Sequence, residues 1–364
     1  MNEDKAARYQ RLKRRVSVAS VAWTVLLLAG LVVSGVSAAI REAAERLLPI
    51  APAAGYVVAL ALLSEVIGLP LSFYSGFVLE RRYGLSTERF RSWALDQVKA
   101  FAISVVLGGG AATLVFWLMR LSPERWWLSA GILFALVIVV LTNLAPVVLL
   151  PLFYSVQPLQ QEQLRARLMA LANRAGARVL GAYEWGLADK TRKANAALAG
   201  IGATRRILVS DTMLAEYSED EIEVVLAHEL AHHVHGDIWK GIAFESALVV
   251  AGLYLASRVL AALASRAGLR GAADVAGLPL LLLAIGAVSL VMLPAAHAMS
   301  RAFERSADRF ALDLTRNPSA FISAMRRLAA QNLAEDDPSR LVKWFFYSHP
   351  PIRERIATAQ LFKV

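Results

Sequence analysis

The chain has 364 residues, 57% of them hydrophobic, with 39 Lys and Arg against 29 Asp and Glu, a net charge of +10 and no cysteine. A soluble domain averages roughly 45–50% apolar residues, so this composition argues against a soluble protein and for a surface that faces lipid. The absence of cysteine excludes disulfides and thiolate-held zinc. The basic excess lies in clusters between apolar runs, the signature of loops on one side of a bilayer rather than of a nucleic-acid surface.

Apolar stretches of about 20 residues predict six membrane spans near 16–40, 52–79, 100–119, 127–154, 241–264 and 277–299. The first run is long and lacks a small-residue cleavage site, so it reads as a span and not as a signal peptide. Lys5, Arg8, Arg11, Lys13, Arg14 and Arg15 precede it. Arg81, Arg82, Arg89, Arg91 and Lys99 fill the second connection, whereas the first and third carry only Arg41 with Arg46 and Arg120 with Arg125. This bias places the N-terminus and the second connection in the cytoplasm. An even number of spans puts residues 155–240 and the tail 300–364 there too. Arg258 makes the fifth span the weakest; the span is expected to end near Ser257 or to turn Arg258 inward. Glu65 and Glu245 fall within apolar runs and are expected at an interface or facing water. Gly108-Gly109-Gly110 has no following Lys-Ser/Thr and reads as close helix packing, not a phosphate loop.

The long segment between the fourth and fifth spans has a different grammar. Helical spacing covers 159–176, and short strands are expected at 179–187 and 205–209. Ser218-Glu219-Asp220-Glu221 then forms a capping box, starting a helix at Glu219 that ends before Gly236. On that helix lies His228-Glu229-Leu230-Ala231-His232. Residues i and i+4 share a helix face, so both imidazoles can ligate one zinc ion with Glu229 beside its water. A five-residue pattern matches by chance often enough that, alone, it also suits an amphipathic helix with polar His and Glu outward. Its apolar flanks, Val225 to Ala227, make that alternative the less attractive one.

Two ligands do not make a site; a third protein group is required. The candidates are His233, His235, His297, His349 or a downstream carboxylate. His233 points about 100° away from His232 on the helix, and His235 sits at the fraying end of the same helix. After the sixth span, Glu304 and Asp308 show i,i+4 spacing in Phe303-Glu304-Arg305-Ser306-Ala307-Asp308. Taken alone they read as a solvated pair beside Arg301 and Arg305.

Taken together, these residues resemble the type I CAAX prenyl endopeptidases, integral-membrane zinc metallopeptidases, and their prokaryotic relatives. The likeness runs through Leu69 to Glu80, Tyr83-Gly84-Leu85, Ala145-Pro146, Pro151-Leu152-Phe153, Asn195-Ala196 and Arg206 to Thr212. Its strongest pieces are His228 to His232, Phe303 to Asp308 and Tyr347 to Arg355. The resemblance implies Glu304 as third zinc ligand, Asp308 as its outer support, His349 as an oxyanion stabiliser and Arg355 as an organiser of the site. It also implies that Asn195 and Ala196 form an edge on which a peptide adds as a strand. The implied fold is mainly α and polytopic: about six transmembrane helices around a water-filled chamber, with a small α+β zinc-peptidase domain on the cytoplasmic side. Two departures stand out. Six spans are expected here where eukaryotic members have an additional N-terminal helix. Lys193-Ala194-Asn195-Ala196-Ala197 also lacks the serine or histidine and the tyrosine around the eukaryotic asparagine.

The expected organisation is four parts: 1–154 with four spans, 155–240 with the zinc helix, 241–300 with two spans, and 301–364 completing the active site. The expected activity is zinc-dependent hydrolysis of peptide bonds in lipidated, membrane-associated or misfolded membrane proteins, with one Zn2+ per chain. Glu229 serves as general base and then returns the proton to the leaving amine, with His349 beside the oxyanion. An HtpX-like quality-control protease and a non-hydrolytic membrane chaperone with a vestigial zinc helix are the alternatives. A transporter would need inverted repeats or broken-helix pairs, and neither is evident. The expected location is a prokaryotic inner membrane, with N-terminus, zinc site and C-terminus cytoplasmic and no nucleic-acid partner.

Overall fold

A computed structural model describes residues 4–200 and 205–363, apart from the side chains of 145–147, so the Ala145-Pro146 pair lies outside the described side chains. In chain order the helices are α1 (Lys5–Val33), α2 (Val36–Leu47), α3 (Pro52–Phe73), α4 (Leu79–Arg82), α5 (Phe90–Leu121), α6 (Trp126–Val148) and α7 (Leu150–Phe153). Then follow α8 (Glu162–Arg174), α9 (Asp211–Glu216), α10 (Glu219–Val234), α11 (Asp237–Leu263), α12 (Leu278–Thr315), α13 (Pro318–Asn332), α14 (Arg340–Phe346) and α15 (Ile352–Gln360). Six helices among the described residues are long and apolar enough to cross a bilayer: 5–33, 52–82, 90–121, 126–144, 237–263 and 275–315. Large apolar side chains such as Leu26, Val66, Val106, Leu136 and Val291 are exposed along them, as a lipid-facing surface requires.

The expected span limits shift for local reasons. The first helix begins at Lys5, so its basic residues are helical too, and it ends at Ser34 because Gly35 adopts φ 76°. Only glycine enters that left-handed region without a Cβ penalty. Residues 36–40, expected in the first span, instead begin the separate helix α2. The second span continues from α3 through one π-helical turn, Tyr74–Val78, into α4. The fifth does not stop at Ser257 but reaches Leu263 with Arg258 exposed, five residues from the helix end. There its long side chain can reach the interface. The sixth does not stop near 299: α12 is one helix from Leu278 to Thr315.

The segment between the spans carries a four-stranded sheet in the order β1-β2-β4-β3, from Val156–Pro158, Gly181–Trp185, Arg206–Ser210 and Ala196–Ala199. The strand β2 falls within its expected stretch, and β4 overlaps its own but runs one residue further, to Ser210. The three-residue β1 and four-residue β3 are too short for an alternation signal. Helix α8 buries Leu164, Leu168 and Leu171, one face by its i,i+4,i+7 spacing, against a core that includes Ile207, Val209, Leu226, Leu230, Ala311 and Phe321. A second core, with Tyr56, Phe116, Met119, Trp126, Leu253 and Leu260, lies between the membrane helices. Because Ala311 and Leu312 belong to the first core and Leu278 and Leu281 to the second, α12 ties the two together.

Candidate metal centre

The helix bearing the His-Glu-x-x-His run starts where its capping box predicts. Ser218 Oγ accepts from Glu221 N (3.2 Å), and Glu221 Oε2 accepts from Ser218 N (2.8 Å). Glu221 also receives Ser323 Oγ (2.6 Å) from α13. Burial pushes the Glu221 carboxyl up, but the Ser323 hydroxyl, the Ser218 amide and Arg327 outweigh it and hold it below the usual carboxylate range. Residues Ile222, Leu226 and Leu230 are almost fully buried, so α10 is a core helix that holds His228 and His232 in place.

Opposite them stands α12. The ligating atoms of His228, His232 and Glu304 lie within 4.8 Å of one another. His228 Nε2 is 3.2 Å from Glu304 Oε2, and His232 Nε2 is 3.4 Å from Glu304 Oε1. Each outward nitrogen is backed by a carboxylate on the other side of its ring. His228 Nδ1 lies 2.9 Å from Asp308 Oδ1, and His232 Nδ1 lies 3.1 Å from Asp237 Oδ2. Both ring nitrogens of each histidine thus face a carboxylate; with a cation between the Nε2 atoms and Glu304, each Nδ1 would keep its proton toward Asp308 or Asp237 and each Nε2 would present a lone pair. Arg355 Nη2 also lies 3.3 Å from His228 Nδ1. A guanidinium only donates, so it competes with Asp308 for that nitrogen, and the shorter contact decides.

This arrangement asks for a cation. Glu304 Oε2 is buried without a hydrogen-bond partner, although the His228 ring stands against it. Two imidazole lone pairs facing one carboxylate repel unless a positive charge sits between them. The same preference shows in the imidazoles: burial opposes their charged forms, yet Asp308 and Glu304 overcome it and push His228 up to about 9. His232 is raised as well, with Glu304 as the largest influence against burial. Two nitrogens and one carboxylate oxygen are the hard-to-borderline donor set that suits zinc in a catalytic site with one open position.

The remaining predicted residues fall around this cluster. Glu229 is half-buried, with no hydrogen-bond partner among the described residues, and burial raises its carboxyl against the pull of His228 and His232. Helix α15 brings in Arg355, which is 8% exposed and donates Nε to Asp308 Oδ2 (2.9 Å) and Nη2 to Oδ1 (2.6 Å). His349 Nε2 comes within 3.3 Å of Glu304 Oε1 while its side chain remains 60% exposed. Asn195 is exposed and Ala196 buried, at the start of β3. The ladder of β3 is filled by β4 on one side only, and β3 packs against α10. The other histidines are elsewhere: His235 meets Ser306 Oγ (3.3 Å) and the Phe310 ring, and His297 meets Trp344 O (3.3 Å).

Three features escaped the sequence. Asp237 opens α11 immediately after Gly236, whose φ of 66° turns the chain back so that the carboxylate meets His232. The only hint was an acidic residue five positions after a ligand. Arg301 donates to Tyr347 O (2.7 Å) and Lys343 O (3.0 Å), pinning the loop that presents His349. Tyr347 and Arg14 both donate to Glu335 Oε2, at 2.6 and 2.5 Å, which ties that loop to α1.

A bundle of membrane helices with a buried His-Glu-x-x-His helix and a third carboxylate defines a polytopic membrane metallopeptidase. Residues 158–362 match the profile of peptidase family M48, and residues 2–155 match that of the CAAX prenyl protease N-terminal domain, described by its five membrane helices. The chain belongs to peptidase family M48. Here four long helices and the short α2 occupy that N-terminal stretch. The chain is 33% identical over 361 residues to an uncharacterized metalloprotease, YhfN, of Bacillus subtilis, covering 98% of this chain and 84% of that one. It is 28% identical over 301 residues to a CAAX prenyl protease 1 homolog of Oryza sativa, covering 82% and 70%. In fold it is similar to the crystal structure of S. mikatae Ste24p, with a TM-score of 0.85 and 24% identity over 98% of this chain and 87% of that one.

Proposed function

We propose that this chain is a zinc endopeptidase that cuts peptide bonds in membrane-associated substrates, with lipidated tails and misfolded membrane proteins as its substrate class. The observation that carries the reading is the pair of carboxylate-backed imidazoles facing the two oxygens of Glu304, of which Oε2 has no hydrogen-bond partner. His228, His232 and Glu304 would hold the ion. When bound there, zinc supplies Lewis acidity toward the scissile carbonyl and lowers the pKa of water.

The residues of the chain supply the rest. Glu229 takes the proton from the attacking water and passes it to the leaving amine; its raised carboxyl suits both halves of that transfer. His349, exposed and held beside Glu304, donates to the developing oxyanion. Asp308, fixed by Arg355, and Asp237 keep the two imidazoles in the ligating tautomer. Asn195 and Ala196 offer the open side of β3, on which an extended peptide adds as a further strand. The name of the Oryza sativa relative, a CAAX prenyl protease 1 homolog, supports lipid-modified substrates; the departures around Asn195 support a broader preference here.

We also propose the division 1–154, 155–240, 241–300 and 301–364. In this reading the water-filled chamber lies between the helices and the zinc domain faces the cytoplasm of a prokaryotic inner membrane. The chain lacks native cysteine, so single cysteines introduced in the N-terminal segment and near 125 give an unambiguous labelling test. Labelling of the first from outside intact cells overturns the orientation. For the chemistry, Glu229→Gln is expected to retain one zinc per chain and to lower cleavage of a membrane-anchored peptide by about 10²–10⁴-fold. Cleavage at the wild-type rate rejects the assignment of the base.

A further inference from the structure

The end of the helix bundle away from the His–Glu cluster holds a second concentration of charge that peptide hydrolysis does not use. Glu304 lies 26 residues along α12 from Leu278, about 39 Å of helix. Beside the start of α12, a cavity of about 280 Å³ is lined by Arg41, Arg120 and Arg270, with Glu45 and Asp274. Its two carboxylates are already engaged. Asp274 accepts from Arg41 Nη1, from Arg270 N (2.8 Å) and from Ala276 N (3.0 Å). Glu45 accepts from Arg270 Nη1 at 2.7 Å.

A third carboxylate, Glu42, stands 3.4 Å from Arg41 Nη2 outside the lining, so the acidic groups pair with Arg41 and Arg270. Arg120 has no acidic partner among the described residues. Arg41 is only 5% exposed, and its Nε–H has no partner. The cavity also reaches the N-terminus of α3 at Pro52 and Ala53. The N-cap there, Ala51, has no side chain with which to cap, and the first amide to bond back is Gly55 N, to Ala51 O at 3.1 Å. Amides left open at a helix N-terminus, with the dipole behind them, favour an anion. Guanidinium groups match the tetrahedral, doubly accepting geometry of a phosphate.

We propose that this cavity binds a phosphate group, supplied by the headgroup of an anionic phospholipid at the membrane face opposite the metal centre. The proposal is independent of the peptidase reading. Headgroups lie at the ends of spanning helices, which is where α3 begins, α5 ends and α12 begins. An anionic headgroup is preferred over a zwitterionic one, because the choline of the latter would meet three guanidinium groups.

The test uses the full chain purified in mild detergent, mixed with phosphatidylglycerol or phosphatidylcholine and read by native mass spectrometry. Wild type is expected to retain one phosphatidylglycerol with a preference of roughly tenfold over phosphatidylcholine, as for one charge-assisted contact. Arg120→Ala, a change at an exposed side chain, is expected to lose that preference, and Arg120→Lys to recover most of it. Displacement of the lipid by millimolar inorganic phosphate supports the site and makes the free ion its ligand; resistance to displacement supports the headgroup. Equal retention of the two lipids by wild type, or an Arg120→Ala profile matching wild type, overturns the proposal.

Discussion

The two ends of the helix bundle each bury a carboxylate among positively charged or protonatable neighbours, and they do opposite things with it. Asp274 has every side filled: two backbone amides and the Arg41 guanidinium saturate its oxygens. Ser37 reinforces the same corner, donating to Ala276 O (2.6 Å) and accepting from Tyr56 OH (2.7 Å). Glu304 faces two ring nitrogens, each ring backed by a further carboxylate on its far side, and one of its oxygens has no hydrogen-bond partner. A saturated carboxylate is a clamp. A carboxylate facing carboxylate-backed imidazoles is a candidate cation site. Burial is similar at both places, 8% exposure for Asp274 and 6% for Glu304, so it is the direction of the surrounding protons that separates structure from chemistry.

Substitutions break this comparison in a graded way. Glu304→Gln is expected to have the largest effect, abolishing stoichiometric zinc and cleavage together, because it removes one of three ligands; metal analysis of the purified variant checks it. Asp274→Ala leaves the buried Arg41 with only the exposed Glu42 as counter-charge and is expected to cost about 3 kcal/mol of stability while zinc content stays at one per chain. A melting curve paired with metal analysis separates those outcomes. Asp237→Asn keeps the shape but loses the charge that orients His232, and a chelator competition should report zinc bound about 10–100-fold more weakly. Smallest is Ser218→Ala, which removes one half of the capping box and is expected to cost about 1 kcal/mol.

The pH dependence of the last element has a definite sign. The folded Glu221 carboxyl is held below its ordinary value of 4.5 by Ser323, Ser218 and Arg327 acting against burial. Its contribution is therefore present in full above that ordinary value and is lost as pH falls through the folded one. The stability gap between wild type and Glu221→Gln should narrow on acidification below pH 4.5. A gap that widens instead would contradict the assignment.

Much of this was legible in the chain itself, for physical reasons that differ by element. The spans carry long apolar runs, and the metal helix announces its start through Ser218 and Glu221 and its end through Gly236. The i,i+4 spacing of His228 with His232 and of Glu304 with Asp308 survives folding intact because both pairs lie inside continuous helices. What pairs across elements was not legible from spacing. Nothing local reveals that Asp237 turns back onto His232, or that Arg301 and Glu335 hold the loop before His349. The strands β1 and β3, with three and four residues, exist because β2 and β4 are there to pair with them. The end of the first span at Gly35 and the unbroken run of α12 past residue 299 also needed the fold. Hydropathy locates apolar surface, whereas the helix obeys backbone bonding that continues beyond it.

That unbroken run makes α12 a lever. Its 38 residues form a rod about 57 Å long, with one end lodged among the membrane helices and Glu304 far along its length. A tilt of about 5° pivoting near Leu278 swings Glu304 by about 3 Å over the intervening 39 Å of helix, more than the whole length of a zinc–oxygen bond. The packing of α12 against α11 and α10, which sets the pitch of this rod, is thus the bearing on which the geometry at Glu304 turns.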